Sequence, residues 1–270
     1  MGTGDQTTFW DTGSQQVSGS VTGRGPRLVL LHGLGQDHRI WAEIQRALPE
    51  YHCFAYDIRG FGSSPLGTGA GTLAQLGQDL VEFLAAVGPA TCVGFSLGGV
   101  IALWAAAERP ELVERVIAVA TSSVVGKAAA AAMVQRIELF ETASDERIYE
   151  LMYEDTAAQL AKPGNDVAAL TRTRIEAIGD RGGYLNGARA VCSMRDESIN
   201  DRLPAITAPV LIINGKNDLW CPRRAAEIML EQLPDAEFVE LPGVGHLITD
   251  EDPLGLVSTM RHWLQSERQR

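Results

Sequence analysis

The sequence predicts an α/β fold: a mostly parallel, twisted sheet flanked by helices, with a helical lid inserted between two strands. Three observations point to it. Short apolar runs alternate with helical segments over residues 27–120, as strands buried on both faces and their crossover helices require. Between about residues 123 and 200 only helical patterns occur. The alternation then resumes near residue 208. The expected organisation is a core of residues 1–122 and 201–270 and a lid of residues 123–200.

Residues 7–31 alternate polar and apolar side chains around Gly13, Gly19, Gly23 and Gly25-Pro26, like a meander of short strands. Arg27–Leu31 then runs into His32-Gly33-Leu34-Gly35, a buried strand entering a loop. A helix is expected over His38–Leu48 and a strand over Cys53–Tyr56, followed by a turn from Asp57 to Ser64. Thr72 reads as the N-cap of a helix to Val87, which places Leu73, Leu76, Leu80, Phe83 and Leu84 on one face. Ala90–Val93 is the next strand; Gly94 to Gly99 turns into an Ala-rich helix ending near Arg109-Pro110, and Val113–Ala120 is again a strand. Within the lid, helices are expected over the alanine run at 128–132, Met133–Thr142, Asp145–Tyr153 and Val167–Ile178. Beyond it come a strand at Val210–Ile213, a helix at Arg223–Leu233, a strand at Glu237–Leu241, and a final helix from Asp252-Pro253 to about Gln265.

Composition removes several classes of function. The chain has 270 residues, 45% hydrophobic and 21% charged, the profile of a globular protein. Its 23 basic and 34 acidic side chains give −11, spread as −4, −3 and −4 over residues 1–122, 123–200 and 201–270. A nucleic acid needs a basic patch, so none is expected as a partner. No run of about 18 apolar residues predicts a membrane span, and MGTGDQTTFWDTGSQQ lacks the basic-then-apolar pattern of a secretory leader. A cytoplasmic location is therefore expected. Cys53, Cys92, Cys192 and Cys221 form no CxxC pair and the five histidines are scattered, so free thiols and no metal are expected. The expected partner is a small-molecule substrate; a homodimer is left open.

The chemistry concentrates at Gly94-Phe95-Ser96-Leu97-Gly98, a G-x-S-x-G pattern between an expected strand and an expected helix. Such a turn needs glycines because a Cβ beside the serine has little room. It lifts the hydroxyl clear of the sheet and aims the Leu97 N–H and the helix N-terminus at the reacting centre. A serine nucleophile needs a base, and the base an orienting acid. His246 ends Pro242-Gly243-Val244-Gly245-His246 after the last strand, while His32, His38, His52 and His262 are less well placed. Asp218 follows the strand Val210–Ile213; Asp57 also follows a strand, but its arginine and glycine neighbours read as a structural turn.

With these residues in view the chain resembles a lid-bearing serine hydrolase of the α/β-hydrolase superfamily over nearly its whole length. The marks are His32-Gly33-Leu34-Gly35, Asp57-x-Arg59-Gly60-x-Gly62-x-Ser64, Gly94-x-Ser96-x-Gly98-Gly99, Gly215-x-x-Asp218 and Gly245-His246. The order Ser96, Asp218, His246 is that of the superfamily. The resemblance implies a second oxyanion donor at the Leu34 N–H, no cofactor, and acyl transfer to water. The stretch Met194–Pro204 with Gly245-His246-Leu247 is most similar to 3-oxoadipate enol-lactonases and related esterases. Relatives that cleave C–C bonds of ring-fission products usually carry tryptophan where Leu247 stands, so ester or lactone cleavage is preferred. C–C hydrolysis, a non-hydrolytic biosynthetic enzyme and a ligand receptor on the same fold remain alternatives.

Substrate contacts are read more coarsely. Trp41 and Trp220 are candidates for the acyl site, set against core packing or a partly covered surface. Arg189 and Arg195 are candidate anchors for a substrate carboxylate, set against solvated helix charges. Ile137, Phe140, Met152 or Tyr153 should give the lid an apolar wall, and Asp250, Glu251 and Asp252 should complement the dipole of the final helix. The even acidity offers no electropositive funnel, which favours a neutral ester or lactone over a dicarboxylate enol-lactone unless Arg189 or Arg195 turns inward.

Overall fold

In the computed structural model, which describes residues 7–266, strands buried on both faces at the centre build a single eight-stranded sheet. Its strands are β1 (Thr8–Asp11), β2 (Gln16–Thr22), β3 (Arg27–Leu31), β4 (His52–Tyr56), β5 (Ala90–Phe95), β6 (Val113–Val119), β7 (Val210–Gly215) and β8 (Ala236–Leu241). The spatial order is β1-β2-β4-β3-β5-β6-β7-β8. β1 and β2 pair antiparallel, β2 is antiparallel to β4, and all other pairings are parallel.

Because β3 lies between β4 and β5, the chain winds outward in both directions from it. Such a switch point opens a crevice at the carboxyl ends of the strands. Leu31, the last residue of β3, pairs with Gly94 near the end of β5, so the loop after β3 and the turn at Ser96 lie side by side.

The strands' period of two divides the core between the faces. Val29 and Leu31 pack with α2 (Leu73–Val87) and α3 (Leu97–Glu108). Leu28 and Leu30 pack with α1 (Ala42–Ala47) and α10 (Pro253–Ser266) on the other. The Thr72 hydroxyl caps α2 by accepting from the Gln75 N–H at 3.2 Å, as the sequence predicts. The expected first helix divides into a 3₁₀ turn at His38–Trp41 followed by α1. Asp57 serves the expected structural turn: it is fully buried and accepts from Ser18, from the His38 backbone and from His38 Nδ1.

Between β6 and β7 stand four helices, α4 (Lys127–Thr142), α5 (Asp145–Gln159), α6 (Val167–Ile178) and α7 (Gly182–Ser193), and a 3₁₀ segment at Ile199–Ala205. The sequence does not single out α7. Gly182, Gly183 and Gly187 weaken its helical signal, and packing requires at least one of them, since a Cβ on Gly183 would lie 2.0 Å from the Gly60 carbonyl oxygen. Past β7 come α8 (Arg223–Leu230) and, beyond β8, a short α9 (Ile248–Glu251) that the sequence pattern also conceals. All four cysteines are free thiols, and among the described residues no helix is long and apolar enough to cross a membrane.

Candidate active site

Ser96 occupies the junction of β5 and α3 with φ +51° and ψ −113°, a left-handed conformation that costs a non-glycine residue on the order of 1–3 kcal/mol. The surroundings enforce it. A Cβ on Gly94 would stand 2.1 Å from the Gly98 carbonyl oxygen, and one on Gly98 2.4 Å from that of Leu31. The Ser96 N–H donates to Val119 at 2.8 Å and its carbonyl accepts from the Thr121 hydroxyl at 2.6 Å, so the turn is tied to β6 and the loop beyond.

His246 comes from the loop after β8 and Asp218 from the loop after β7. These loops are joined by the Asn217 N–H, which donates to Val244 at 2.8 Å, and by a backbone approach so close that a Cβ on Gly215 would lie 2.2 Å from the Gly245 oxygen. His246 Nε2 lies 3.2 Å from Ser96 Oγ and its Nδ1 2.8 Å from Asp218 Oδ2. An ionised carboxylate only accepts, so Nδ1 carries the proton and Nε2 is free to accept from the hydroxyl. The other Asp218 oxygen accepts from the Trp220 and Cys221 N–H groups at 2.8 and 2.9 Å, which fixes the carboxylate plane. Both Asp218 and His246 are buried.

Leu34 and Leu97 flank the serine and line the same cavity. Among the described residues, neither of their N–H groups donates to a turn or loop around them. The Leu34 loop is held by His32, whose Nε2 accepts from the Ile58 N–H at 2.9 Å while its Nδ1 side meets the Gly33 carbonyl at 2.8 Å. Burial pushes the His32 pKa down, so the ring works as a neutral backbone clamp.

The histidine loop is also fastened to the insertion. The His246 N–H donates to the Gln159 carbonyl at 2.8 Å. The Glu251 carboxylate accepts from the Gly245, Ala161 and Lys162 N–H groups at 2.5, 2.6 and 2.5 Å. This corrects the expectation for the acidic cluster after His246. Only Asp252 meets the final helix as expected, accepting from the Gly255 N–H at 3.2 Å. Glu251 instead ties the end of α5 to the histidine loop.

Asp250 has a further consequence. Burial pushes its carboxyl up to about 6, against the opposing effects of the Thr249 hydroxyl and Arg174. The folded chain then keeps this proton where the unfolded chain has lost it, so this group's effect on stability falls between roughly pH 4 and pH 6 and stays low above. Asp250→Asn is expected to stabilise the protein by about 1–2 kcal/mol at pH 8, with the gain vanishing near pH 4. Urea midpoints at the two pH values check this; an equal effect at both would contradict it.

A cavity of about 230 Å³ opens above Ser96 and His246. Leu34, Phe95, Leu97, Val100, Met133 and Val191 give it apolar walls, and Trp220 lines its mouth with 43% of its surface exposed and its ring 6.1 Å from that of His246. Trp41 is not there: it is fully buried among Leu28, Leu30 and Ile44 on the other side of the sheet, because its 3₁₀ turn points it inward. Arg189 is exposed and paired with Glu141 at 2.5 Å, and Arg195 is exposed at the end of α7; neither lines the cavity.

The expected apolar wall is also corrected. Phe140 stacks on Tyr184 with ring centroids 3.9 Å apart, Met152 is buried in the core, Ile137 packs against that core, and Tyr153 is 42% exposed. None of them lines the cavity. The insertion does give an apolar wall, but through Val124, Val125, Met133, Val191 and Met194, and it adds the polar groups Arg136, Asp155, Gln159, Arg174 and Tyr184, which sequence reasoning missed. A signal for two of them exists in the helical period. Arg174 shares a buried stripe with Thr171 and Ile178, and Gln159 continues the stripe Ile148, Met152, Thr156.

A strained serine on a strand-to-helix turn, a histidine after the last strand and an acid after the strand beside it define the class of α/β hydrolases. The chain belongs to the alpha/beta hydrolase family, whose model matches residues 28–259. It is 29% identical over 251 residues to a protein of Pseudomonas savastanoi pv. phaseolicola named carbamate hydrolase RutD, covering 90% of this chain and 95% of the relative. It is 28% identical over 246 residues to the pimeloyl-[acyl-carrier protein] methyl ester esterase of Nitrosospira multiformis, covering 83% of this chain and 89% of that one. The enol-lactonase of Burkholderia xenovorans shares its fold, with a TM-score of 0.85, 22% identity and coverage of 96% and 100% of the two chains.

Proposed function

We propose that this enzyme cleaves a small-molecule carboxylic ester or lactone through an acyl-enzyme on Ser96. The observation that carries this reading is the unbroken line Ser96 Oγ, His246 Nε2, His246 Nδ1, Asp218 Oδ2, with spacings of 3.2 and 2.8 Å, at the floor of a walled cavity. His246 takes the hydroxyl proton as Oγ attacks the carbonyl carbon, and the Leu34 and Leu97 N–H groups receive the negative charge that develops on oxygen. Asp218 holds the imidazole tautomer and steadies the imidazolium. The proton passes to the leaving oxygen; the histidine then activates water, which releases the acid and restores the serine.

The insertion of residues 123–200 acts as the lid, setting which acyl and leaving groups fit. Similarity to relatives named as a methyl ester esterase and a carbamate hydrolase supports a carbonyl substrate with an alkoxy or amino leaving group. Incubation with a serine-directed fluorophosphonate is expected to add one label per chain, on Ser96, in step with loss of p-nitrophenyl acetate turnover. Turnover that survives complete labelling, or a label at another residue, would falsify the acyl-enzyme reading.

A further inference from the structure

We propose that Arg136 anchors a carboxylate on the substrate, so that the preferred ester or lactone is a monoanion. The proposal rests on the reading of Ser96 as the nucleophile and adds the substrate's charge to it. Three ionic side chains contributed by the insertion line the cavity: Arg136, Arg174 and Asp155. Their hydrogen bonds show which charge is left over. Each nitrogen of Arg174 has a partner, donating to Asp155 Oδ2 at 2.9 Å, to the Thr156 hydroxyl at 2.8 Å and to the Gly35 carbonyl at 3.4 Å. Asp155 is equally occupied, accepting from Arg174, from Gln159 Nε2 at 2.8 Å and, at its other oxygen, from Arg136 Nη1 at 2.8 Å.

One positive charge therefore remains, on Arg136. Its Nε and Nη2 are buried and meet no acceptor at ordinary hydrogen-bond geometry among the described residues, the Tyr184 hydroxyl being the polar group that stands against the guanidinium. Those two nitrogens form one edge of the guanidinium, with parallel N–H bonds at the spacing of the two oxygens of a carboxylate. Leaving both donors without a protein acceptor is costly, and a carboxylate on this edge removes that cost. About a quarter of the side chain is exposed, and the flexible stem of an arginine lets the edge turn to meet a ligand.

The charge count selects the anion. Counting the insertion side chains that line the cavity, with Asp250 against Arg174 from outside it, two cations and Asp155 balance a single negative charge, whereas a phosphate dianion would leave this wall net negative. The overall acidity of the chain had argued for a neutral substrate; the local balance at this wall reverses that expectation through residues other than Arg189 and Arg195.

The test compares two p-nitrophenyl esters of equal acyl length, the mono-glutarate and the pentanoate. Wild-type enzyme is expected to favour the glutarate ester at least tenfold in kcat/KM, and free glutarate to inhibit competitively. Arg136→Met should abolish the preference through KM, and Arg136→Lys should restore part of it. No preference in the wild type, or equal losses on both esters in Arg136→Met, would overturn the anchor while leaving Ser96 catalysis standing. If neither ester is turned over, glutarate raising the Tm of the wild type but not of Arg136→Met supports the anchor and counts against the hydrolase reading. Should Arg136→Met fail to fold, Arg136→Lys and glutarate inhibition of the wild type decide.

Discussion

Ser96→Ala is expected to lower kcat on p-nitrophenyl acetate by about 10⁴–10⁶, with the fold intact. His246→Ala alone should cost about as much, and the double variant no more than either single one. This non-additivity follows from the proposed mechanism: with Nε2 3.2 Å from Oγ, the two groups would perform one proton-coupled attack, so removing either removes the whole step. Any residual rate above that in water belongs to the backbone donors and the cavity. Alanine keeps a Cβ at φ +51°, so its melting temperature should stay near that of the wild type. Ser96→Gly, equally inactive, should instead gain about 1 kcal/mol by relaxing the turn. Additive losses, or a Ser96→Ala enzyme within tenfold of the wild type, would assign the chemistry elsewhere.

The second large effect is expected at Glu251. Its carboxylate takes three backbone N–H groups, from Gly245 beside the base and from Ala161 and Lys162 in the insertion. Glu251→Ala leaves all three donors without their acceptor at a buried site, a loss on the order of 3–5 kcal/mol. Glu251→Gln is the sharper probe, because its amide offers one accepting oxygen and turns donors toward at least one N–H. We expect kcat to fall at least a hundredfold, with the Ala161 and Lys162 amides exchanging faster with deuterium. Exchange that quickens while kcat stays within twofold would show that the tie holds the insertion but not the histidine.

The parts of this molecule legible in its sequence are those governed by short-range rules. Gly94 and Gly98 are required by contacts within a few residues of Ser96 or across adjacent strands, so the pattern alone locates the turn. Asp218 and His246 were legible because each follows a strand of a parallel sheet, where side chains collect at the carboxyl ends. Thr72 and the α6 boundaries, Val167–Ile178, follow from capping and period.

What escaped depends on which way a helix faces. Trp41 lies close in sequence to the Leu34 loop but turns into the core, at the end of a 3₁₀ turn of four residues that is too short to show its buried face as a period. Arg136 and Asp155 are 19 residues apart on separate helices, and the acceptor role of Glu251 depends on backbone 89 and 90 residues away. Neither leaves a local pattern. The arginine expectation failed for the same reason: Arg189 and Arg195 were sound by composition, but Arg189 is exposed on α7 and Arg195 is exposed just beyond its end.

The tie between Gln159, Ala161, Lys162 and the histidine loop makes the order of molecular events matter. Movement of this end of the insertion away from the core breaks the bonds that seat His246, so access and reactivity oppose each other along one coordinate. On the proposed mechanism, an enzyme whose insertion lifted at this end would lose the seating of its histidine at the same moment. If the proposed acyl-enzyme forms, the rate of fluorophosphonate labelling of Ser96 is then expected to fall in variants that break this tie, and a ligand that holds the insertion down is expected to raise it.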